Sequence, residues 1–231
     1  MKQIKFLLLA LGLGFGGAVT AEEPNRLTDA EEKAGWQLLF DGKTLEGWNS
    51  WKGREALKEG AWAVKDGALS LTKRGGGDIY TAGAYENYEL VLEWKTEGNS
   101  GIMIRVDPTI KGAIWHAAPE MQVNRENNPK ALGSTSAGGL YALYEIEGPE
   151  KTIHPDGWNK VRIKMNNGKG EHWFNGKKIY EYQIGSDDWN ARVQKSKFRK
   201  YPGFAKTAKG HIGLQDHGKP VSYRNIKLRA L

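Results

Sequence analysis

Three short stretches of this 231-residue chain alternate polar and apolar side chains so that reactive groups collect on one face. In Glu120-Met121-Gln122-Val123-Asn124, a strand period of two puts Glu120, Gln122 and Asn124 together, with Met121 and Val123 opposite. From Asn99 to Val106, a regular strand sets Asn99, Gly101, Met103 and Arg105 against Ile102, Ile104 and Val106. Between Gly210 and Gly218, the residues His211, Gln215 and His217 share a face, with Ile212 and Leu214 on the other. Glu120 and His217 are the expected acid/base pair, since a carboxyl raised by burial and an imidazole both work near neutrality. Arg105 is the expected fixed cation. Asn99, Gln122 and Gln215 pair donors with acceptors, which suits vicinal hydroxyls. The plainer alternatives are a solvent-facing sheet, a turn role for His217 and a structural ion pair between Glu120 and Arg105.

Such side chains need strands to hold them, and strand and turn signals dominate the chain. Asp66-Gly67 separates Trp62-Ala63-Val64-Lys65 from Ala68-Leu69-Ser70-Leu71, a hairpin pattern. Tyr88 to Trp94 alternates with Tyr88, Leu90, Leu92 and Trp94 on one face. Trp158 to Met165, Glu171 to Phe174 and Lys178 to Ile184 form a meander punctuated by Asn166-Asn167-Gly168 and Asn175-Gly176. Helical signals are confined to a turn at Thr28 to Ala34 and a short stretch at Ser186 to Arg192. About a dozen short strands imply an all-β sandwich or jelly roll.

Composition narrows the setting. Lys2 and Lys5, the apolar run Phe6 to Phe15 and the small residues Ala18-Val19-Thr20-Ala21 read as a secretory signal peptide, residues 1–21, with export to the periplasm or medium. The run is too short for a comfortable membrane span, so no stable insertion is expected after cleavage. Residues 22–231 suit one domain, and with no cysteine its stability must come from a core. The formal charge of +7 includes a basic cluster, Lys195, Lys197, Arg199, Lys200, Lys206 and Lys209, which would attract electron-rich ligands. No nucleic-acid motif accompanies it, and a nucleic-acid partner is not expected. Gly75-Gly76-Gly77 lacks the Lys-Ser/Thr of a phosphate loop, and no serine-nucleophile elbow is present. No metal-ligand spacing appears. Glu120 with His217 could contribute to a divalent-metal site, but no cofactor enters the main expectation.

The ordered set of motifs resembles the 3-keto-disaccharide hydrolase domain family, formerly DUF1080. It begins with Leu39-Phe40-Asp41-Gly42-Lys43-Thr44-Leu45-Glu46-Gly47-Trp48 and continues through Glu93-Trp94, Gly98 to Ile102, Arg105 and Pro119 to Val123. Gly139-Leu140-Tyr141, Gly157-Trp158-Asn159, Trp173 to Gly176, Gly210 to Gly218 and Arg224-Asn225-Ile226 complete it. The resemblance implies a concanavalin A-like jelly-roll β-sandwich with a ligand site on its concave sheet, and secreted carbohydrate work on glycosides carrying a ketone at C3. Trp48, Trp51 and Trp115, in loop-like sequence, are candidates for stacking on a sugar ring. Trp48 and Tyr141 join the expected substrate-binding set. The family often has an aspartate two or three residues after its Glu-x-Gln motif, whereas Asn124 and Arg125 stand here.

A 3-keto sugar makes definite demands. The ketone acidifies the C2 proton, charge develops on the ketone oxygen, and the group at C1 leaves, after which water can add back. A non-catalytic, lectin-like sugar-binding sandwich is the alternative, and Asn124 favours it. A glycosidase with paired carboxylates is a weaker one, because Glu120 stands alone.

Overall fold

In chain order the strands are β1 Gln37–Leu38, β2 Trp48–Ser50, β3 Trp62–Lys65, β4 Ala68–Leu71, β5 Ile79–Thr81, β6 Tyr88–Thr96 and β7 Asn99–Val106. They continue with β8 Glu120–Asn124, β9 Asn159–Asn166, β10 Lys169–Phe174, β11 Lys177–Gln183, β12 His211–Leu214 and β13 Val221–Ala230. The computed structural model describes residues 23–51, 57, 60–125, 133–146 and 153–231, so the expected signal peptide lies outside the described residues. Turn chemistry sets the hairpins. Asp66-Gly67, Asn167-Gly168 and Asn175-Gly176 each put two successive residues at positive φ, as tight hairpins require.

The strands form two antiparallel sheets. One has the order β11-β10-β9-β6-β13-β4-β3, with β1 pairing beside β4 on β13, and the other has the order β2-β5-β12-β7-β8. The core lies between them. The larger sheet contributes Tyr88, Leu90, Leu92 and Trp94 from β6 and Val161, Ile163 and Met165 from β9. The smaller sheet contributes Ile102, Ile104, Met121, Val123, Ile212 and Leu214. This is the expected all-β sandwich, with the β6 face as its alternation implies.

Among the described residues two α-helices trim the sandwich. The first, α1 Asp29–Lys33, starts with a capping box between Thr28 and Glu31. The second, α2 Asp187–Lys195, is capped by Ser186 and buries Trp189. A 3-10 turn, Lys197–Lys200, follows at once and buries Phe198.

Two expected site residues are placed elsewhere by the fold. Trp48 is 5% exposed, packs in the main core and donates its indole N–H to Leu39 O at 2.8 Å. It is a core residue of β2 and has no free face for a sugar. Arg105 leaves the face of Asn99 and Gly101 because β7 is not regular there. His211 pairs with Val106 and Gly213 with Met103, so two β7 residues oppose the single Ile212. Arg105 takes φ +57°, and Gly210 packs so tightly on it that a Cβ would fall 2.6 Å from Arg105 Cα. After this bulge Val106 rejoins the face of Met103. Arg105 donates through Nε to Thr207 O at 2.5 Å and lies near Tyr88 and Tyr182 of the larger sheet.

Candidate active site

The outer face of the smaller sheet is divided. On one half, Met103, Val106, Ile114, Ala118 and Trp51 form a small second apolar cluster outside the main core. On the other half stand Asn99, Gly101, Glu120, Gln122 and Gln215. Register explains the meeting: Gly101 pairs with Gln122 and Met103 with Glu120. Gly101 lacks the side chain that would fill the face, and a Cβ there would sit 2.7 Å from Glu120 Cδ. The Glu120 carboxyl occupies that vacancy. Gln215 joins through the backbone, its N–H donating to Gly101 O at 3.0 Å. From the inner face, Ser100 Oγ donates to Gln215 O at 2.6 Å and contacts Tyr223 OH at 2.8 Å. Ser100 is therefore a buried strut within β7.

These polar groups are buried and incompletely paired. Glu120, Gln122 and Gln215 are all at most 9% exposed. Gln122 donates Nε2 to Asn99 Oδ1 at 2.8 Å, but its Oε1 and that of Gln215 are buried with no hydrogen-bond partner among the described residues. A buried acceptor without a partner costs about 1–3 kcal/mol. The two flank Gly101, one on each neighbouring strand, and both can accept from a donor that reaches this face. Glu120 forms no ion pair among the described residues, so the alternative of a structural pair with Arg105 is not realised. Burial pushes its carboxyl up to about 8, opposed by the nearby Lys197 ammonium and reinforced by the Asp78 charge. At neutral pH Glu120 therefore carries its proton.

Lys197 was visible in the sequence only as one of a basic cluster. In the fold its Nζ lies 4.1 Å from the Trp115 ring centre and 4.3 Å from that of Tyr141. Tyr141 in turn donates its backbone N–H to Glu120 O at 2.8 Å. The expected Tyr141 thus stands at the site, and the Trp115–Tyr141–Lys197 group adds an unforeseen cation. No spacing rule links Lys197 to Glu120.

His217 lies beyond the end of β12, exposed, on the wall of a cavity of about 600 Å³ shared with Trp51, Arg74, Asp78 and Asp216. The Asp216 carboxylate accepts from Gly77 N at 3.0 Å and Gly218 N at 2.8 Å, and Asp216 N donates to Asp78 Oδ1 at 2.9 Å. These bonds fix the loop that carries His217. Glu120 is not part of this wall. Asp78 links the two places: it lines the cavity, and its charge reaches Glu120. His211, expected on the same face, contacts Thr81 O through Nδ1 at 2.7 Å and meets Tyr80 edge-on. Among the described residues no group of three or more His, Asp or Glu is placed to hold a metal ion.

Fold and site together define a β-sandwich with a polar, partly unsatisfied patch and a protonated carboxyl on one sheet. The chain belongs to the 3-keto-alpha-glucoside-1,2-lyase-like domain family, which residues 35–229 match, a family of glycoside-cleaving enzymes. It is 31% identical over 254 aligned positions to a 3-keto-disaccharide hydrolase of Bacteroides thetaiotaomicron, covering 96% of this chain and 87% of that one. A candidate glycosyl hydrolase of Parabacteroides distasonis superposes with a TM-score of 0.79 at 31% identity, over 90% of this chain and all of that one. A galectin-like protein of Bacillus subtilis, 12% identical with a TM-score of 0.53 over 80% of this chain and 90% of its own, shares the fold alone. The fold is the expected concanavalin-like sandwich. Among the described residues no helix is long and apolar enough to cross a membrane.

Proposed function

We propose that this protein is an exported enzyme that cleaves glycosides bearing a ketone at C3, by elimination and rehydration. The observation that carries this reading is Glu120, a buried carboxyl with no ion pair, protonated at neutral pH and beside two unpartnered amide oxygens. A proton held at about 8 suits a group that must give it to a departing oxygen. His217, on the neighbouring cavity wall, takes the C2 proton. The C2–H electron pair forms an enolate, which collapses back to the ketone as a C1=C2 bond forms and the C1–O bond breaks. Glu120 protonates the leaving oxygen. Water then adds across C1=C2: its oxygen bonds to C1, Glu120 recovers a proton from it, and His217 returns its proton to C2. Asn99, Gln122 and Gln215 hold ring hydroxyls.

The test is incubation of purified protein with a 3-keto-glucoside and with its unoxidised parent. Release of the aglycone from the keto sugar alone is the expected result, and binding without turnover would sink the enzyme reading in favour of a lectin-like one. His217→Ala should lower turnover at least about tenfold with the melting temperature unchanged, and an unchanged rate removes His217 from the mechanism. Export is checked by the mass of the secreted chain, which should start at Glu22.

A further inference from the structure

The Lys197 ammonium is held in an unusual way. Its backbone is fixed, because Ser196 Oγ accepts from Phe198 N at 3.1 Å and Phe198 is 1% exposed. Its Nζ is flanked by the rings of Trp115 and Tyr141. Trp115 is itself held edge-on by Tyr201 at 5.2 Å and by His116 at 4.3 Å, so the aromatic seat is buttressed. Aromatic faces attract an ammonium without neutralising it, whereas a carboxylate would quench its field. Among the described residues Lys197 has no ion pair, and its charge opposes the rise of the Glu120 carboxyl without contact. A cation that acts on a nearby carboxyl without bridging to it keeps its N–H donors for a substrate group.

We propose that Lys197 is the cationic residue that stabilises the ketone oxygen of the substrate as negative charge develops on it; this rests on the keto-glycoside reading above. As the C2 proton leaves, its bonding pair forms C2=C3 and the carbonyl π pair moves onto oxygen. Lys197 donates an N–H hydrogen bond to that oxygen throughout. No proton or covalent bond is exchanged with the lysine, and the pair returns to the carbonyl when the C1–O bond breaks. This is the role the sequence had suggested for Arg105, which the β7 bulge turns away.

The experiment compares wild type, Lys197→Met, Lys197→Arg and the control Lys200→Met on a 3-keto-glucoside. It also follows C2 hydrogen exchange in D2O on 3-keto-1,5-anhydroglucitol, which has no group to expel at C1. Lys197→Met should lower kcat and the exchange rate together by about 10²-fold, with KM changed less than about threefold. Lys197→Arg should recover about tenfold of the loss, and Lys200→Met should stay within about twofold of wild type. A Lys197→Met rate within threefold of an active wild type overturns the lysine role and leaves the keto-glycoside reading standing. Loss of turnover with exchange intact also overturns it, as does loss confined to KM. A wild type that neither cleaves nor exchanges overturns both. If Lys197→Met does not give the wild-type circular dichroism, Lys197→Gln is judged by the same criteria.

Discussion

Glu89 and Glu120 are both almost closed to solvent, 3% and 5% exposed, yet they end on opposite sides of the ordinary carboxylate range. Burial raises both. At Glu89 that rise is outweighed by hydrogen bonds from Arg229 and Arg162, and the carboxyl is held low. The Arg229 bonds span 2.9 Å from Nε and 2.6 Å from Nη2, and Arg162 closes from the other side. At Glu120 the nearest cation, Lys197, stays out of contact, and the carboxyl rises to about 8. Low solvent exposure alone therefore does not set a carboxyl's proton affinity: Glu120 lies deeper in the protein than Glu89 and lacks the completed pairing that Glu89 has. His172 makes the same point from the apolar side. It is fully buried, but its two ring nitrogens meet Tyr182 OH at 3.0 Å and Tyr180 OH at 3.1 Å, so the neutral imidazole is satisfied within the core.

The sharpest way to break the comparison is to neutralise each carboxyl and measure turnover. Glu120→Gln should lower kcat by about 10²–10⁴-fold, while Glu89→Gln should leave it within about twofold. Equal losses would mean that pairing does not separate the two roles.

Stability against pH tests Glu120 separately. Its folded value of about 8 lies above the ordinary 4.5. Between these values the folded chain binds a proton that the unfolded chain has released, so stability falls as pH rises through that window and levels off above it. Glu120→Gln removes this dependence. Relative to wild type, the variant should gain on the order of 3–5 kcal/mol in unfolding free energy between pH 4.5 and pH 9. Parallel denaturation curves would contradict a raised carboxyl. Wild-type kcat/KM should fall above about pH 8 as the acid is lost. The charged groups that act on it are Lys197 and Asp78.

Gly101→Ala tests the vacancy that admits the carboxyl. The new Cβ would lie 2.7 Å from Glu120 Cδ, so the carboxyl must move. Turnover should drop by about 10–100-fold, as misplacement of a reacting group by an ångström does, with circular dichroism unchanged. Full activity would show that Glu120 does not work from its observed position.

Much of this arrangement was legible in the sequence. Asp66-Gly67 and Asn175-Gly176 announced hairpins because two successive positive φ angles restrict which residues fit. The β6 and β8 alternations gave the correct faces, β8 with them Glu120 and Gln122, and the start of β7 set Asn99 beside Gln122. Arg105 was misplaced because a bulge at a non-glycine residue leaves no mark in a period of two. Trp48 looked loop-bound because β2 is only three residues long and its indole bond to Leu39 is tertiary. Lys197 was hidden for a related reason: its meeting with Trp115 and Tyr141 depends on how α2 and the following turn dock, which local pattern does not encode.

The smallest effect should come from the carboxyl that is paired. Glu89 is held below its ordinary value, so its stabilising contribution is present above the unfolded value of 4.5 and is lost as pH falls through the lower folded one. Glu89→Gln should therefore destabilise the protein at pH 7 and converge with wild type in acid, the reverse of the Glu120→Gln slope. The size is limited by the arginines, whose side chains are 35% and 40% exposed and can be rehydrated when the carboxylate is gone. A loss of about 1–2 kcal/mol is expected, above an exposed ion pair and below a fully buried one. Denaturant titrations at pH 7 and pH 3 measure it. A difference that grows toward acid would mean that Glu89 is not held low, and the contrast with Glu120 would then reduce to burial alone.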